Sequence, residues 1–236
     1  MHSNRTSDFK QFECSAPTQA KKAMMKGNQA VRWRVLLVGA TGTLGRAIAA
    51  ELGARHEIIR AGRTSGDLRL DLSDAASIRD ALAQVGEFDA VVSAAGHVEF
   101  APLEDFQAAA IGESRHTLGL TSKLLGQVNL ALAARDHLRD GGSITLTTGI
   151  TLEQPIVGGS SASMVNGALE GFVRAAAIEL PRGLRINAVS PNLLVEASPA
   201  IQALFPGFEP VPAARAALAF RRSVEGRQTG QVYRVF

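Results

Sequence analysis

Three glycines stand three residues apart, Gly39, Gly42 and Gly45, in the segment GATGTLG. The segment follows a short apolar run, RVLLV, and precedes a stretch whose apolar residues have helical spacing. At such a strand-to-helix turn, small residues allow backbone N–H groups and the positive end of the helix dipole to approach a pyrophosphate. The pattern predicts a dinucleotide site, and a tight turn without a ligand is the alternative.

The end of the second apolar run indicates which dinucleotide binds. A carboxylate there would accept hydrogen bonds from the adenosine ribose of NAD, but the segment AGRTSG offers Arg63, Thr64 and Ser65 instead. A guanidinium group suits a 2′-phosphate, so we expect NADP(H), with NAD(H) as the second possibility. The alternative for Arg63 is a solvated surface charge.

Apolar strands alternate with amphipathic helices from residue 34 onward, and these elements must position the glycines. Strands are predicted at 34–40, 56–62, 68–72, 88–96, 143–148, 184–190 and 231–236. Helices are predicted at 43–55, 74–84, over a long segment ending near Asp140, from 160 to about 180, and at 212–223. This alternation predicts an α/β chain, a Rossmann-type doubly wound parallel sheet of about seven strands with helices on both faces.

Residues 34–236 resemble the short-chain dehydrogenase/reductase family in the segments GATGTLGRAIA, LRLDLSD, VVSAAG, GSITLTTG, NGALEGFVRAAAIEL and RINAVSPN. The resemblance implies hydride transfer between a nicotinamide and a carbonyl or alcohol carbon. It also implies that a Tyr, four residues before a Lys on one helix face, handles the proton, assisted by a Ser on the fifth strand and an Asn on the long helix. The predicted cofactor-binding residues are Gly39, Thr41, Gly42, Thr43, Leu44, Gly45, Arg63, Thr64, Asp71, Leu72, Ala94, Ala95, Gly96, Asn166, Pro191 and Asn192.

Several positions depart from the family pattern. Ala162 stands at the Tyr position and Asn166 at the Lys position, and the only tyrosine of the chain, Tyr233, lies in the last predicted strand. The Ser position falls on Gly149. The Asn position falls on Lys123, which is the only lysine after residue 26.

Lys123 is therefore the leading catalytic candidate. A desolvated ammonium beside a positively charged nicotinamide has a pKa below its usual value of about 10.4, which brings it toward the range useful for proton transfer. We expect Lys123 to replace the missing proton-handling group, Thr148 or Ser161 to orient the substrate, and Asn166 to hold the nicotinamide ribose. The alternative is that Lys123 bonds loop carbonyls where the long helix is irregular. His97 is a second candidate for the proton.

Two classes of function compete at this point. One is an NADP(H)-dependent reductase with a rearranged active site; the other is a non-catalytic NADP(H)-binding sensor or regulatory protein on the same fold. An apolar segment at 193–214 indicates a small hydrophobic carbonyl or alcohol substrate for the first. Self-association as a homodimer or homotetramer is expected in either case, through the helix at 167–180, which carries Phe172, Val173, Ile178 and Leu180.

Charge and composition exclude several partners. Residues 1–33 hold six Lys/Arg and two acids, whereas residues 34–236 hold 19 Lys/Arg and 20 acids, so no basic nucleic-acid surface is expected on the fold. No apolar run is long enough for a membrane span, and no set of ligands is spaced for a metal. The single Cys14 fits a reducing compartment, and we expect a cytoplasmic protein. Residues 1–33 are interpreted as a disordered or loosely ordered extension before one domain at 34–236, with an organellar transit peptide as the alternative.

Overall fold

Seven parallel strands form one sheet in the order β3-β2-β1-β4-β5-β6-β7. The computed structural model describes residues 31–236. The strands are β1 (Arg34–Val38), β2 (Glu57–Gly62), β3 (Leu68–Arg69), β4 (Phe88–Ser93), β5 (Leu138–Thr147), β6 (Arg185–Pro191) and β7 (Val232–Val235). The strand order reverses between β1 and β4, as in a doubly wound sheet, so the predicted α/β architecture is confirmed.

Helices cover both faces of this sheet. They are α1 (Thr43–Gly53), α2 (Ala75–Val85), α3 (Gly126–Ala134), α4 (Ser160–Ala176), the single turn α5 (Pro199–Gln202) and α6 (Ala213–Glu225). Buried residues of α2, α3 and α4 pack on one face of the sheet, and those of α1 and α6 pack on the other. Two apolar cores, one on each face, therefore hold the strand ends in fixed positions.

Local sequence signals explain where these elements begin. The run Val35–Val38 is buried on both sides because β1 lies in the middle of a covered sheet, which requires a continuous apolar strand. Helix α1 buries Ile48 and Leu52, which lie four residues apart on one helix face. Helix α2 begins after Asp74, whose carboxylate accepts a hydrogen bond of 2.8 Å from the Ala76 N–H.

Two predicted helix ends are wrong. The long helix ends at Ala134 rather than near Asp140, because Leu138 is 2% exposed and pairs with Phe88 at the start of β5. Helix α4 ends at Ala176 rather than near residue 180, shortly before Pro181, which disfavours helical geometry in the residue before it. In both places tertiary pairing or proline geometry overrides a favourable helical composition.

The prediction of a disordered or loosely ordered extension lies outside the described residues, except at its last three positions. There Trp33 stacks on His56 with ring centroids 5.3 Å apart, so the packed structure begins slightly before residue 34. Residues Arg32–Phe236 cluster as one compact unit. Within residues 31–236, no helix is both long and apolar enough to cross a membrane.

Candidate active site

Two adjoining depressions lie at the carboxyl ends of the strands. The first, a groove of about 380 Å³, runs across the ends of β1, β2 and β4. It is lined by Val38, Gly39, Thr41, Gly62, Arg63, Thr64, Ser65, Leu70, Asp71, Leu72, Ser73, Ala95, Gly96, His97 and Ser122. The second, an apolar cavity of about 330 Å³, lies beside β5 and β6. It is lined by Thr43, Val98, Phe100, Lys123, Thr148, Gly149, Ile150, Thr151, Ala162, Asn166, Pro191, Asn192, Leu193, Leu194, Ala197, Ile201 and Phe205.

The glycine turn between β1 and α1 leaves room for a ligand backbone. Gly39 has φ +83°, and a Cβ added there would lie 2.8 Å from the Ala94 carbonyl oxygen. A Cβ on Gly45 would lie 2.0 Å from the Gly39 carbonyl oxygen, so neither position accepts a side chain. Helix α1 starts after Gly42 without a side-chain cap, so its first N–H groups remain available to an anion. The turn has the geometry and the polarity of a pyrophosphate site.

Basic and hydroxyl side chains line the far end of the groove. Arg63 is exposed and forms no ion pair with any residue in 31–236, and it adjoins Thr64 and Ser65. The Ser65 hydroxyl donates to the Thr41 hydroxyl at 3.2 Å, which ties this end to the glycine turn. Asp71 faces the same groove, and hydrogen bonds from the Ser73 hydroxyl and N–H lower its pKa, with a smaller contribution from the Arg63 charge. This end of the groove therefore offers a guanidinium that has no ion-pair partner in the described part of the chain.

A local widening of the long helix carries Lys123 to the boundary between the groove and the cavity. Residues Leu120–Leu125 form a π-helical segment, and the Gly126 N–H bonds the Thr121 carbonyl five residues earlier. The side chain of Lys123 lies against Gly96, at the end of β4. A Cβ on Gly96 would lie 2.8 Å from Lys123 Cγ, and φ at Gly96 is +121°. The absence of a side chain at position 96 gives the lysine stem its path.

Among the residues that the structure describes, the ammonium group of Lys123 has two hydrogen-bond partners. Its Nζ lies 2.9 Å from Asn166 Oδ1 and 3.2 Å from the Thr148 carbonyl oxygen. Burial lowers its pKa from 10.5 to about 8, and no Asp or Glu is among the residues that line the cavity. Part of the residue still faces the cavity. Lys123 can therefore exist in both protonation states near neutral pH.

The amide of Asn166 is held by the loop that follows β5. Its Nδ2 donates to the Gly149 carbonyl at 3.1 Å and to the Thr151 hydroxyl at 3.0 Å. Because the Gly149 carbonyl can only accept, the amide nitrogen must face it, and the amide oxygen must face Lys123. Both N–H donors of Asn166 are thus used within the protein.

Aromatic side chains close the outer wall of the cavity. Phe100 and Phe205 meet edge to face with ring centroids 6.2 Å apart, and Phe205 packs with Ile150 and Leu193 in a small apolar cluster. This cluster is separate from the two cores of the sheet. The cavity wall therefore depends on the segment that carries α5, and it favours apolar ligands.

Comparisons with known proteins support this architecture. The family model described as enoyl-(acyl carrier protein) reductase matches residues 33–234. The chain belongs to the short-chain dehydrogenase/reductase family. The Listeria innocua protein lin1944, known from a crystal structure, is 49% identical in sequence to this chain, and the two folds superpose with a TM-score of 0.82. The match covers 86% of this chain and 99% of that one. A small-chain dehydrogenase in complex with NADPH is 24% identical, with a TM-score of 0.75, over 86% of this chain and 96% of that one.

Two further relatives match part of the chain. An uncharacterised oxidoreductase of Methylorubrum extorquens is 30% identical over 143 residues, which are 58% of this chain and 56% of that protein. Hydroxynaphthalene reductase arp2 of Aspergillus fumigatus is 28% identical over 135 residues, 55% of this chain and 48% of that protein. The chain therefore matches about half the length of these two relatives.

Most of the predicted cofactor-binding residues of this short-chain dehydrogenase/reductase chain line one of the two depressions. Those in the groove are Gly39, Thr41, Arg63, Thr64, Asp71, Leu72, Ala95 and Gly96, and those in the cavity are Thr43, Asn166, Pro191 and Asn192. Gly42, Leu44 and Gly45 contribute the turn and the helix start, and Ala94 follows β4 directly, its N–H bonded to the Val38 carbonyl. Their binding roles remain predictions.

The predicted catalytic residues are not all brought together. Lys123 and Thr148 meet in the cavity wall. Ser161 is 2% exposed, donates to the His116 carbonyl at 2.9 Å and lines neither depression. The His97 side chain is 71% exposed, and its Nε2 lies 3.6 Å from Glu99 Oε2 at the groove. Tyr233 lies on the distant strand β7, and its hydroxyl donates to the side-chain oxygen of Gln228. Of the predicted catalytic residues, Lys123 and Thr148 are therefore the two that line the cavity together.

Two supporting residues were not foreseen from the sequence. Gln127 is completely buried, and its amide pairs with both the N–H and the carbonyl of Thr147, which fixes the end of β5. Thr151 holds the Asn166 amide from the following loop. Each is a common polar residue whose role depends on a partner at least 15 positions away, so no local pattern indicates it.

Proposed function

We propose that the chain is an NADP(H)-dependent oxidoreductase that moves hydride between nicotinamide and a small carbonyl or alcohol substrate, with Lys123 handling the proton. The observation that carries the proposal is the ammonium of Lys123 in the wall of an apolar cavity without an acid. Thr43, the first residue of α1, lines the same cavity, so the cavity begins where the glycine turn ends. A dinucleotide lying along the groove would bring its reactive end to Lys123.

The hydrogen-bonding capacity of Lys123 supports proton transfer. A neutral amine has two N–H groups, and the protein supplies two acceptors, Asn166 Oδ1 and the Thr148 carbonyl. The ammonium form has a third N–H, and no described residue accepts it. The third N–H is therefore available to a substrate oxygen.

The same geometry gives a balanced proton step. NADPH supplies the hydride when it is bound. As the carbonyl carbon gains hydride, the carbonyl oxygen becomes negatively charged and takes the third proton of Lys123, which gives the alcohol. The resulting neutral amine keeps both bonds to the protein and regains a proton from solvent. Alcohol oxidation uses the same groups in reverse.

Covalent catalysis by Lys123 is less favoured than proton transfer. An imine formed with a carbonyl substrate would have no N–H when neutral and a single N–H when protonated, because the nitrogen would be doubly bonded to carbon. At least one of the two acceptors, the Thr148 carbonyl or the Asn166 oxygen, would then lose its donor from Lys123 in a largely buried site, at a cost of about 1 to 3 kcal/mol. The network holds the nitrogen as an amine.

This proposal describes an atypical member of the family. The resemblance implies Tyr, Lys and Asn at positions 162, 166 and 123, and the chain carries Ala162, Asn166 and Lys123. Lysine and asparagine thus exchange helices, and their side chains meet between α4 and the π-helical segment. Ala162 lines the cavity beside them, which leaves space for the substrate where a tyrosine ring would stand.

The proposal includes self-association through α3 and α4. A depression of about 210 Å³ between them is lined mainly by apolar residues, among them Ala131, Leu132 and Phe172, together with Arg135 and Glu179. Leu132 is 48% exposed, whereas Val173, expected at this surface, is fully buried in the core. A homodimer or homotetramer would cover Leu132, and light scattering of the wild type and of Leu132→Glu tests it: the variant is expected to have the smaller mass.

The decisive test is NADPH consumption with a panel of small apolar aldehydes and ketones. We expect turnover that Lys123→Met lowers about 10² to 10⁴-fold, the usual contribution of a general acid. Arg79→Met, which removes an exposed cation from α2, is the matched control and is expected to keep wild-type turnover. Full turnover by Lys123→Met overturns the assignment. An absence of turnover, with different affinities for NADPH and NADP⁺, favours the sensor alternative that Ala162 also permits.

A further inference from the structure

We propose that Asn166 and Thr151 are positioning residues for Lys123: Thr151 fixes the Asn166 amide, and the amide oxygen fixes the lysine nitrogen. This inference rests on the proposed function for its catalytic meaning. It differs from the sequence-based expectation that Asn166 holds the nicotinamide ribose.

The hydrogen bonds of Asn166 determine the direction of this chain of contacts. Gly149 and Thr151 take both N–H donors of the amide, so the oxygen remains for Lys123. A ribose hydroxyl that needed an N–H donor from Asn166 would have to displace one of these bonds. Asn166 is only 2% exposed, which also limits its reach toward a cofactor.

Thr151 is the second step of the chain of contacts. It lies in the one-turn 3₁₀ helix Ile150–Leu152 that follows β5, and it is 4% exposed. Without its hydroxyl, one N–H of the amide would lose its acceptor in a buried position, and the amide would have less reason to keep its oxygen toward Lys123. Thr148, three residues earlier, contributes only its backbone carbonyl to Lys123. The role proposed for Thr151 therefore requires its hydroxyl group, whereas the contact of Thr148 with Lys123 does not.

The surroundings of Lys123 make its protonation a sensitive readout. No Asp, Glu, Arg or His is among the residues that line the cavity, and burial is the cause of its lowered pKa. The hydrogen-bond acceptors that contact the lysine nitrogen, the Thr148 carbonyl and the Asn166 amide oxygen, are both uncharged. A change at Asn166 or Thr151 changes those acceptors directly, whereas a general loss of stability does not.

The experiment is an NMR titration of Lys123 in the full chain without cofactor, labelled on lysine. The Lys123 signal is identified by its loss in Lys123→Met. We expect Asn166→Asp to raise the titration midpoint by about 1 to 2 pH units, because a carboxylate would then face the ammonium. Thr151→Val is expected to lower the midpoint by about 0.3 to 1 pH unit, the effect of weakening one hydrogen-bond acceptor. Thr148→Val, which keeps the carbonyl, is the control and is expected to leave the midpoint in place.

Each outcome decides one step. An unchanged midpoint in Asn166→Asp overturns the role of Asn166, and an unchanged midpoint in Thr151→Val overturns the role of Thr151. Calorimetry adds a second readout: Asn166→Ala is expected to keep the NADPH Kd within about threefold, the change left by a group that does not touch the cofactor. A weakening of tenfold or more would make Asn166 a cofactor ligand instead. Because none of these measurements uses turnover, they remain informative if the proposed reductase activity fails.

Discussion

The Nζ of Lys123 lies 2.9 Å from Oδ1 of Asn166, which joins a π-helical segment to helix α4 at the wall of an apolar cavity. The short-chain dehydrogenase/reductase resemblance implies Asn at position 123 and Lys at position 166, whereas the chain has Lys123 and Asn166. Lys123 is the one ionisable residue among those that line the cavity.

The rate of carbonyl reduction should depend on the protonation of Lys123. Its pKa is about 8, and the ammonium is the proton donor. We therefore expect kcat/KM for reduction to be constant below this pH and to fall about tenfold for each pH unit above it. Alcohol oxidation should rise over the same range, because it needs the neutral amine. Steady-state profiles in both directions check this, and a reduction profile that stays flat to pH 10 would rule out Lys123 as the acid.

Lys123 should also make stability depend on pH. Its pKa falls from 10.5 to about 8 on folding, so the unfolded chain binds more protons between these values and stability rises with pH. Relative to Lys123→Met, the free energy of unfolding of the wild type should increase by at most about 3 kcal/mol from pH 8 to 10.5. Urea unfolding of both proteins across this range measures the difference, which should not decrease.

Gly96→Ala should displace the lysine stem. A Cβ at Gly96 would lie 2.8 Å from Lys123 Cγ, and we expect a loss of about 2 to 4 kcal/mol in stability or a clear fall in kcat. Gly86→Ala is the matched control, since Gly86 also has positive φ, +71°, but its added Cβ would meet nothing within 4 Å. Its cost should be confined to backbone strain. Equal effects in the two variants would show that contact with Lys123 is unimportant.

Arg63 should determine the cofactor preference. Arg63→Ala removes the guanidinium at the end of the groove, and we expect NADPH to bind about 10 to 100-fold more weakly, the value of a charge-assisted hydrogen bond. Binding of NADH should change little. Calorimetric titration with both cofactors tests this, and parallel losses for the two would place Arg63 outside the 2′-phosphate site.

A buried carboxylate away from the cavity should give stability an opposite pH slope. The Glu170 side chain is 2% exposed, and its Oε2 lies 3.2 Å from a guanidinium nitrogen of Arg174 and 3.3 Å from one of Arg234. Burial and the nearby Glu153 charge nevertheless raise the pKa of Glu170 above 4.5. The folded chain then binds the proton more tightly, so stability falls as pH rises from 4.5 through the raised pKa. Glu170→Gln should remove this fall in urea unfolding between pH 4 and 8. Persistence of the slope would assign it to another group.

The sequence alone determined the architecture, because its signals are local. Continuous apolar runs mark covered parallel strands, and the spacing of Gly39, Gly42 and Gly45 marks the turn between the first strand and its helix. The family motifs also located Lys123, Ala162 and Asn166 at the positions where the active site is expected. Helix ends were less accurate, since pairing of Leu138 with Phe88 depends on a strand 50 residues away.

Only the tertiary structure decided how the site residues are connected. The amide of Asn166 contacts Lys123, Gly149 and Thr151, and its expected role at the nicotinamide ribose remains a prediction. Ser161, on the same helix, bonds the His116 carbonyl instead of facing the cavity. Hydrogen bonds between distant segments fix these directions, and they depend on the rotation of each helix and the path of each loop, which residue spacing does not encode.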